Sequence, residues 1–221
     1  FNTNQLYDYE ALRKGTITAF SVKTLKPESL SSFEIGYKGL LNDGKLLLDI
    51  YGYAGQYKDF LGRFIAVQNK TGAAITIADT TAGYKYSLPV NTTDKVKTYG
   101  FGFGLDYRLP KNFTLSLNAS SDNLKDVPTG FVAYFNAPKY KVNASIGNTG
   151  FGLNKRMGFN IAYRWQDAFF FQGDFANGNL PAVQTVDAQV SYKFPSTKSI
   201  LKLGANNLLN QYYYNAIGNA Q

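Results

Sequence analysis

The residues from Thr98 to Tyr107 read Thr-Tyr-Gly-Phe-Gly-Phe-Gly-Leu-Asp-Tyr and alternate strictly between large apolar side chains and small or polar ones. Successive side chains of a β-strand point to opposite faces, so Tyr99, Phe101 and Phe103 share one face while the three glycines share the other. This stretch therefore predicts a strand with one apolar face and one small, polar face.

The same alternation recurs along most of the sequence, and helical spacing is nearly absent. It is found at residues 33–38, 113–120, 140–147, 159–166, 186–194 and 201–206. Residues 45–56 are also extended in character, although Leu46, Leu47 and Leu48 are apolar on both faces. The pattern predicts eight strands of roughly 9–13 residues, long enough to cross a bilayer when tilted.

Short and long connections alternate between these strands without exception. The short ones lie at 41–44, 109–112, 148–155 and 195–198, and the long ones at 58–96, 122–138 and 169–182. Outer-membrane barrels combine short periplasmic turns with longer extracellular loops, whereas a soluble sandwich has no reason to segregate its loops. The longest link has room for two further strands, near 63–68 and 84–90. We therefore expect an all-β, antiparallel transmembrane β-barrel segment of about 8–10 strands.

The composition excludes several classes of protein. With no Cys and no His among 221 residues, the chain has no disulfide, no Cys/His zinc site and no Ser-His or Cys-His catalytic pair. Carboxylates alone leave acid–base chemistry open, but no clustered candidates occur, so we expect no enzyme, no catalytic residue, no metal site and no cofactor. The formal charge is +8, yet no basic run exceeds Lys155-Arg156, so no nucleic-acid partner is expected. No stretch approaches the ~18 apolar residues of a transmembrane helix.

Strand direction predicts that the barrel is incomplete. With the short turns in the periplasm, the segment before the first strand and the segment after the eighth would both be extracellular. Two open sheet edges would also be unsatisfied in lipid. We therefore expect residues 1–221 to be one portion of a larger barrel.

Four stretches resemble the C-terminal barrel of TonB-dependent outer-membrane receptors. They are Leu25-Lys26-Pro27-Glu28 with the following Glu34 to Gly39, Phe135 to Asn143 (FNAPKYKVN), Val186 to Tyr192 (VDAQVSY), and Asn207 to Tyr213 (NLLNQYY). The resemblance implies a barrel of about 22 strands with a plugged lumen. The plug domain, the TonB-contacting box and the closing strand are absent from this chain, which would be the C-terminal portion of such a barrel.

The function implied by the resemblance is transport in the cell outer membrane of a Gram-negative bacterium. The receptor would bind a scarce nutrient (siderophore, vitamin, glycan or peptide) at extracellular loops and import it by TonB-coupled active transport. Its partners would be outer-membrane lipid, a TonB-type protein acting through the missing N-terminal region, the nutrient, and a surface lipoprotein. The alternative is a passive porin-like or adhesin barrel.

Two groups of candidate site residues follow. Loop aromatics and one arginine are predicted to contact ligand, because rigid rings offer large contact area at small entropic cost. They are Arg63, Tyr84, Tyr86, Phe169, Phe170, Phe171, Tyr212, Tyr213 and Tyr214. Charged residues on the polar strand face are predicted to face the lumen, where they would line a ligand path or contact the plug: Glu34, Asp106, Arg164, Asp187 and Lys202.

Overall fold

The computed structural model describes residues 24–69, 83–173 and 176–218, and in these ranges the regular structure is almost entirely β. The strands are β1 (Ser29–Leu41), β2 (Leu46–Lys58), β3 (Leu61–Asn69), β4 (Gly83–Asn91), β5 (Val96–Arg108), β6 (Phe113–Lys125), β7 (Phe131–Val132), β8 (Tyr140–Phe151), β9 (Met157–Gln166), β10 (Phe169–Gln172), β11 (Asn177–Leu180), β12 (Val183–Phe194) and β13 (Ser199–Ala205). Only single 3-10 turns, at Pro110–Asn112 and Leu153–Lys155, interrupt them in the described ranges. No helix in these ranges has the length and apolarity needed to cross a membrane.

Eight strands form one sheet, called here the wall sheet, in the order β1-β2-β5-β6-β8-β9-β12-β13. These are the eight strands predicted from the alternation, so the antiparallel all-β prediction is confirmed. Each short connection joins two strands that are neighbours in this order, so the four short turns lie at the same end of the strands. The two strands expected inside the longest link are also present, as the hairpin β3–β4.

The register confirms that the alternation separates two faces. Directly opposite residues share a face, and the pairs Ser116↔Ser145 and Asn118↔Asn143 carry the polar face across β6 and β8. The pairs Ile146↔Ile161 on β8–β9 and Val190↔Leu203 on β12–β13 carry the other. The apolar face is open to its surroundings: Ile35 is 70% exposed, Leu203 73% and Val190 54%. Exposed apolar side chains in this number are what a lipid-facing surface requires.

Of the five described strands outside the wall sheet, three were not predicted. β7 pairs with β3 through Arg63↔Val132 and Phe64↔Phe131. β10 and β11 form a four-residue hairpin within the link expected to be a loop, with Phe169 opposite Leu180. The three consecutive phenylalanines lack a period-two pattern, so alternation could not identify β10.

The described residues fall into two compact units. The first takes the chain up to Ser32, Gly55–Thr98 and Leu124–Phe135, and the second takes Phe33–Ala54, Tyr99–Asn123 and the chain from Asn136. The first unit has its own small core of Phe60, Val96 and Phe131, with Tyr57 and Leu124 among the side chains packed on it. The Tyr57–Phe60 and Phe60–Phe131 ring centroids are 4.9 and 6.0 Å apart.

Within the first unit, the Asn91 side chain makes hydrogen bonds to the backbone of two other segments. Asn91 Oδ1 accepts a hydrogen bond from Lys26 N at 2.7 Å, and Asn91 Nδ2 donates to Lys26 O at 2.8 Å. The same Nδ2 also donates to Asp59 O at 2.6 Å. Glu28 Oε2 accepts from Leu61 N at 3.0 Å. These bonds fix Lys26 and Glu28 to the base of the β3–β4 hairpin.

Candidate functional site

The polar face of the wall sheet in the second unit forms a shallow concave region. A depression of about 380 Å³ spans four strands there, and its lining includes Asp106, Ser116, Asn118, Asn143 and Arg164. Strand register brings these residues together, because each lies on the same face of the sheet as the glycines of β5. The site is therefore built from side chains on rigid strands.

The predicted lumen-facing residues occupy this face at different points. Asp106 on β5 accepts a hydrogen bond from Ser116 Oγ at 2.5 Å. Lys202 on β13 lies opposite Ser191 of β12. Glu34 lies on the same face of β1 as Lys38. The Lys38 Nζ lies 2.8 Å from Asp49 Oδ2. Their expected role as a ligand path or plug contact stays a prediction.

Arg164 and Asp187 are the two predicted charged residues that the structure brings into contact. Arg164 Nη2 lies 2.7 Å from Asp187 Oδ2, and the Asp187 side chain is only 13% exposed. Within the described residues this Oδ2 accepts no directed hydrogen bond, so the guanidinium is its charge partner. Asp187 Oδ1 accepts from Asn207 N at 2.9 Å, and Asn207 has a positive φ of 52°.

That contact anchors a turn that begins at Asn207. Asn207 Oδ1 accepts from Gln211 N at 3.0 Å, and Asn207 Nδ2 donates to Gln211 O at 2.9 Å. Gln211 Oε1 in turn accepts from Gln184 N at 3.0 Å. The turn directs the following residues to a second depression, of about 240 Å³, whose lining includes Lys141, Arg164, Thr185 and Tyr213. Tyr213, a predicted ligand contact, therefore lines the same depression as Arg164, a predicted lumen-facing residue.

The other predicted loop aromatics are distributed among separate elements. Tyr212 is 82% exposed, and its ring packs edge-on against that of Tyr214 with centroids 5.1 Å apart. The neighbouring Tyr212 hydroxyl raises the pKa of Tyr214 above its usual value. Phe169 and Phe171 are half-buried on β10, whereas Phe170 is exposed.

The remaining candidates belong to the first unit. The Arg63 guanidinium lies 5.7 Å from the Tyr134 ring centroid, within cation–π range. Tyr84 and Tyr86 are on β4, opposite Gln68 and Ala66 of β3. Their side chains lie outside what the structure describes.

Two tyrosines of β2 complete the polar face, and sequence reasoning did not identify them. A Cβ at Gly102 would overlap the Tyr51 ring, and one at Gly100 would lie 2.7 Å from Tyr53 Cε1. The absence of a side chain at these two glycines leaves room for the tyrosine rings. Tyr53 Oη donates to Asp122 Oδ1 at 2.6 Å. The available signal was the shared parity of Tyr51, Tyr53 and Asp49, which the apolar run 46–48 obscured.

The described residues include no group of three or more carboxylates close enough to hold a metal ion. The arrangement offers polar, aromatic and cationic contacts from fixed strands, which suits noncovalent binding of a polar ligand.

Comparison with known proteins places these features in context. The sequence model described as "TonB dependent receptor-like, beta-barrel" matches residues 2–208. No curated protein sequence matches the chain.

Solved structures with a similar fold include proteins of three bacteria. The ferripyoverdine receptor of Pseudomonas aeruginosa is 18% identical with a TM-score of 0.63, over 89% of this chain and 25% of its own. The FrpB iron transporter from Neisseria meningitidis is 18% identical with a TM-score of 0.59, over 86% and 28%. The ferric-catecholate import receptor Fiu from E. coli K12 is 14% identical with a TM-score of 0.61, over 87% and 25%. The chain thus spans about a quarter of the length of each.

Proposed function

Since this chain belongs to the TonB-dependent receptor-like β-barrel family, we propose that it forms part of an outer-membrane transport receptor that imports a scarce nutrient by TonB-coupled active transport. Residues 1–221 act in it as a C-terminal portion of the barrel. The protein resides in the cell outer membrane of a Gram-negative bacterium and carries out no bond chemistry.

The observation that carries this proposal is the pairing of two unlike faces on one sheet. In the second unit, polar side chains run from the Lys38–Asp49 pair to the Arg164–Asp187 pair, while the opposite face exposes Ile161, Val190 and Leu203. Lipid on one side and a hydrated lumen on the other satisfy both faces. A soluble sheet with this much exposed apolar surface would aggregate.

Ligand contact is assigned to the loop aromatics and to the depression beside Tyr213. Lys141 gives this depression positive charge, Arg164 adds a guanidinium whose charge is balanced by Asp187, and Tyr213 and Thr185 add hydroxyl groups. A siderophore is the nutrient class that the structural neighbours favour, since they include a ferripyoverdine receptor and a ferric-catecholate import receptor. Vitamins, glycans and peptides remain alternatives for the same surfaces.

The partners follow from this proposal. Lipid covers the apolar face, and a TonB-type protein acts through an N-terminal region outside these 221 residues. A surface lipoprotein is a further proposed partner on the extracellular side. The charged polar face, including Glu34, Asp106 and Lys202, serves as ligand path or plug contact.

Uptake measurements in cells test the proposal. Accumulation of candidate nutrients by cells with and without the gene should be saturable, and should collapse when a protonophore removes the proton gradient. Lys141→Gln should weaken uptake, whereas Lys125→Gln removes an exposed charge that does not line the depression and should not. Linear, unsaturable flux that persists without the gradient would instead identify a passive porin-like barrel.

A further inference from the structure

The segments at and beside the short turns of the wall sheet carry most of the net positive charge of the chain. Residues 41–45, 108–112, 152–156 and 193–198, called here the basic rim, contain a single acidic residue, Asp43. Their basic residues are Lys45, Arg108, Lys111, Lys155, Arg156, Lys193 and Lys198. The described parts of the long connections are nearly neutral by contrast. The rim therefore accounts for most of the formal charge of +8.

All four rim segments belong to the second unit and lie at one edge of one sheet. Arg108 N donates to Lys45 O at 2.8 Å, and Lys193 N donates to Arg156 O at 2.9 Å, which closes the ends of neighbouring strands. Asn148 Nδ2 donates to Lys111 O at 2.9 Å. Turns two strands apart are separated by about 10 Å. The rim is consequently a continuous line of charge and not a set of isolated turns.

Three rim lysines stand where the backbone favours other residues. Lys111, Lys155 and Lys198 have φ of 58°, 56° and 50°, in the left-handed region. Gly and Asn adopt this region most readily, and the first short turn does use Asn42 there, at φ 52°. Lysine at three of the four turns runs against local propensity, which points to a use for the side chain itself.

These three side chains are free to bind. All are exposed, and none makes a side-chain hydrogen bond or an ion pair within the described residues. A long, flexible ammonium with no internal partner suits a diffuse anionic surface better than a fixed internal site.

The rim also adjoins an aromatic band. Phe113 and Phe151 pack against Phe159, with ring centroids 6.1 and 5.6 Å apart, and Tyr192 packs against Phe194 at 4.8 Å. Phe151 and Phe194 remain 36% and 40% exposed. Aromatic residues followed outward by basic ones mark the level at which hydrocarbon gives way to headgroups.

From these observations we propose that the basic rim binds anionic phospholipid headgroups of the membrane leaflet on the short-turn side, chiefly through Lys111, Lys155 and Lys198. The charge complements the lipid phosphate, and the site continues the apolar face of the same sheet. The proposal rests on the membrane placement of the family and is independent of the nutrient.

The test uses the intact native polypeptide in nanodiscs of phosphatidylcholine with increasing phosphatidylglycerol, with bound lipid counted by native mass spectrometry. The unsubstituted protein should retain phosphatidylglycerol preferentially at low salt. The triple variant K111N/K155N/K198N should lose this preference by about fivefold per lysine, on the order of 100-fold in all. Because Asn suits the left-handed backbone, the variant should remain folded, which its thermal transition checks.

A matched control removes the same charge from the long connections. K58N/K95N/K125N alters three exposed lysines outside the rim and should leave lipid preference unchanged. Equal loss in both variants would assign the effect to net charge and overturn the proposal. An unchanged lipid preference in the rim variant would also overturn the proposal. So would a rim variant that no longer binds an acidic protein partner but still retains phosphatidylglycerol. Nutrient uptake is a separate readout, so failure here is distinguishable from failure of the transport proposal.

Discussion

Replacing Gly100 by Ala should destabilise the barrel wall, and the structure gives the reason atom by atom. The added Cβ would overlap the backbone oxygen of Ser121 and would lie 2.7 and 2.8 Å from Tyr53 Cε1 and Oη. A backbone oxygen cannot move without disturbing the neighbouring strand, so we expect the upper part of the 1–3 kcal/mol range for overpacking. Urea unfolding of the intact native polypeptide in detergent measures the change.

Two glycines on the same face of the same strand provide matched controls. At Gly104 the nearest atom would be Asp49 Cβ at 3.5 Å, an ordinary contact, so Gly104→Ala should be neutral or stabilising by about 0.5–1 kcal/mol. At Gly102 the three nearest atoms all belong to the Tyr51 side chain. Tyr51→Ala should therefore relieve Gly102→Ala, whereas Tyr53→Ala should not relieve Gly100→Ala. Equal destabilisation by Gly104→Ala and Gly100→Ala would refute this reasoning.

Three further substitutions test contacts outside that strand. Asn91→Ala removes three hydrogen bonds, so it should cost about 1–3 kcal/mol and speed amide hydrogen exchange at residues 26 and 61, with Asn91→Asp an intermediate case. Hydrogen bonding from the Lys97 ammonium, with its charge, lowers the pKa of Asp126 below the usual 3.8. The pair thus stabilises the fold above pH ~4 and loses that effect as pH falls through the lowered pKa; Asp126→Asn should reduce the unfolding midpoint at pH 7 but not at pH 2. Arg164→Gln leaves the half-buried Asp187 carboxylate without its charge partner and should cost about 1–3 kcal/mol. A smaller loss in the double variant with Asp187→Asn would show coupling, and additive losses would argue against it.

The wall strands could be predicted from sequence because one face of each carries mainly small or polar side chains and the other carries exposed apolar ones. Under those conditions period-two alternation is strict, as at Thr98–Tyr107, and the eight predicted strands are the eight of the wall sheet. β7 and the β10–β11 hairpin escaped prediction because they satisfy local backbone groups in short pairs. Asn136, for example, exchanges hydrogen bonds with Gln172 at 2.7 and 2.8 Å, an arrangement that no local pattern indicates.

The candidate site was predictable only in part, for a related reason. Parity alone put Arg164 and Asp187 on one face, but their contact depends on register between β9 and β12, where Thr185 lies opposite Arg164. The position of Tyr213 depends on a turn held by the Asp187 carboxylate and the Asn207 amide. Such placement arises from contacts distant in sequence, which composition and periodicity do not encode.

The net charge gains a physical explanation only once the turns are placed. From sequence, a charge of +8 without basic runs argues against nucleic acid and leaves the excess without a role. Folding the chain brings Lys111, Lys155 and Lys198, separated by more than forty residues from one another, to one sheet edge in the same backbone conformation. Each of these turns holds a residue in the left-handed region, where Asn or Gly would fit without charge. Lysine fits the left-handed region at greater conformational cost. Backbone propensity therefore does not account for Lys111, Lys155 and Lys198, whereas the proposed binding to anionic headgroups does.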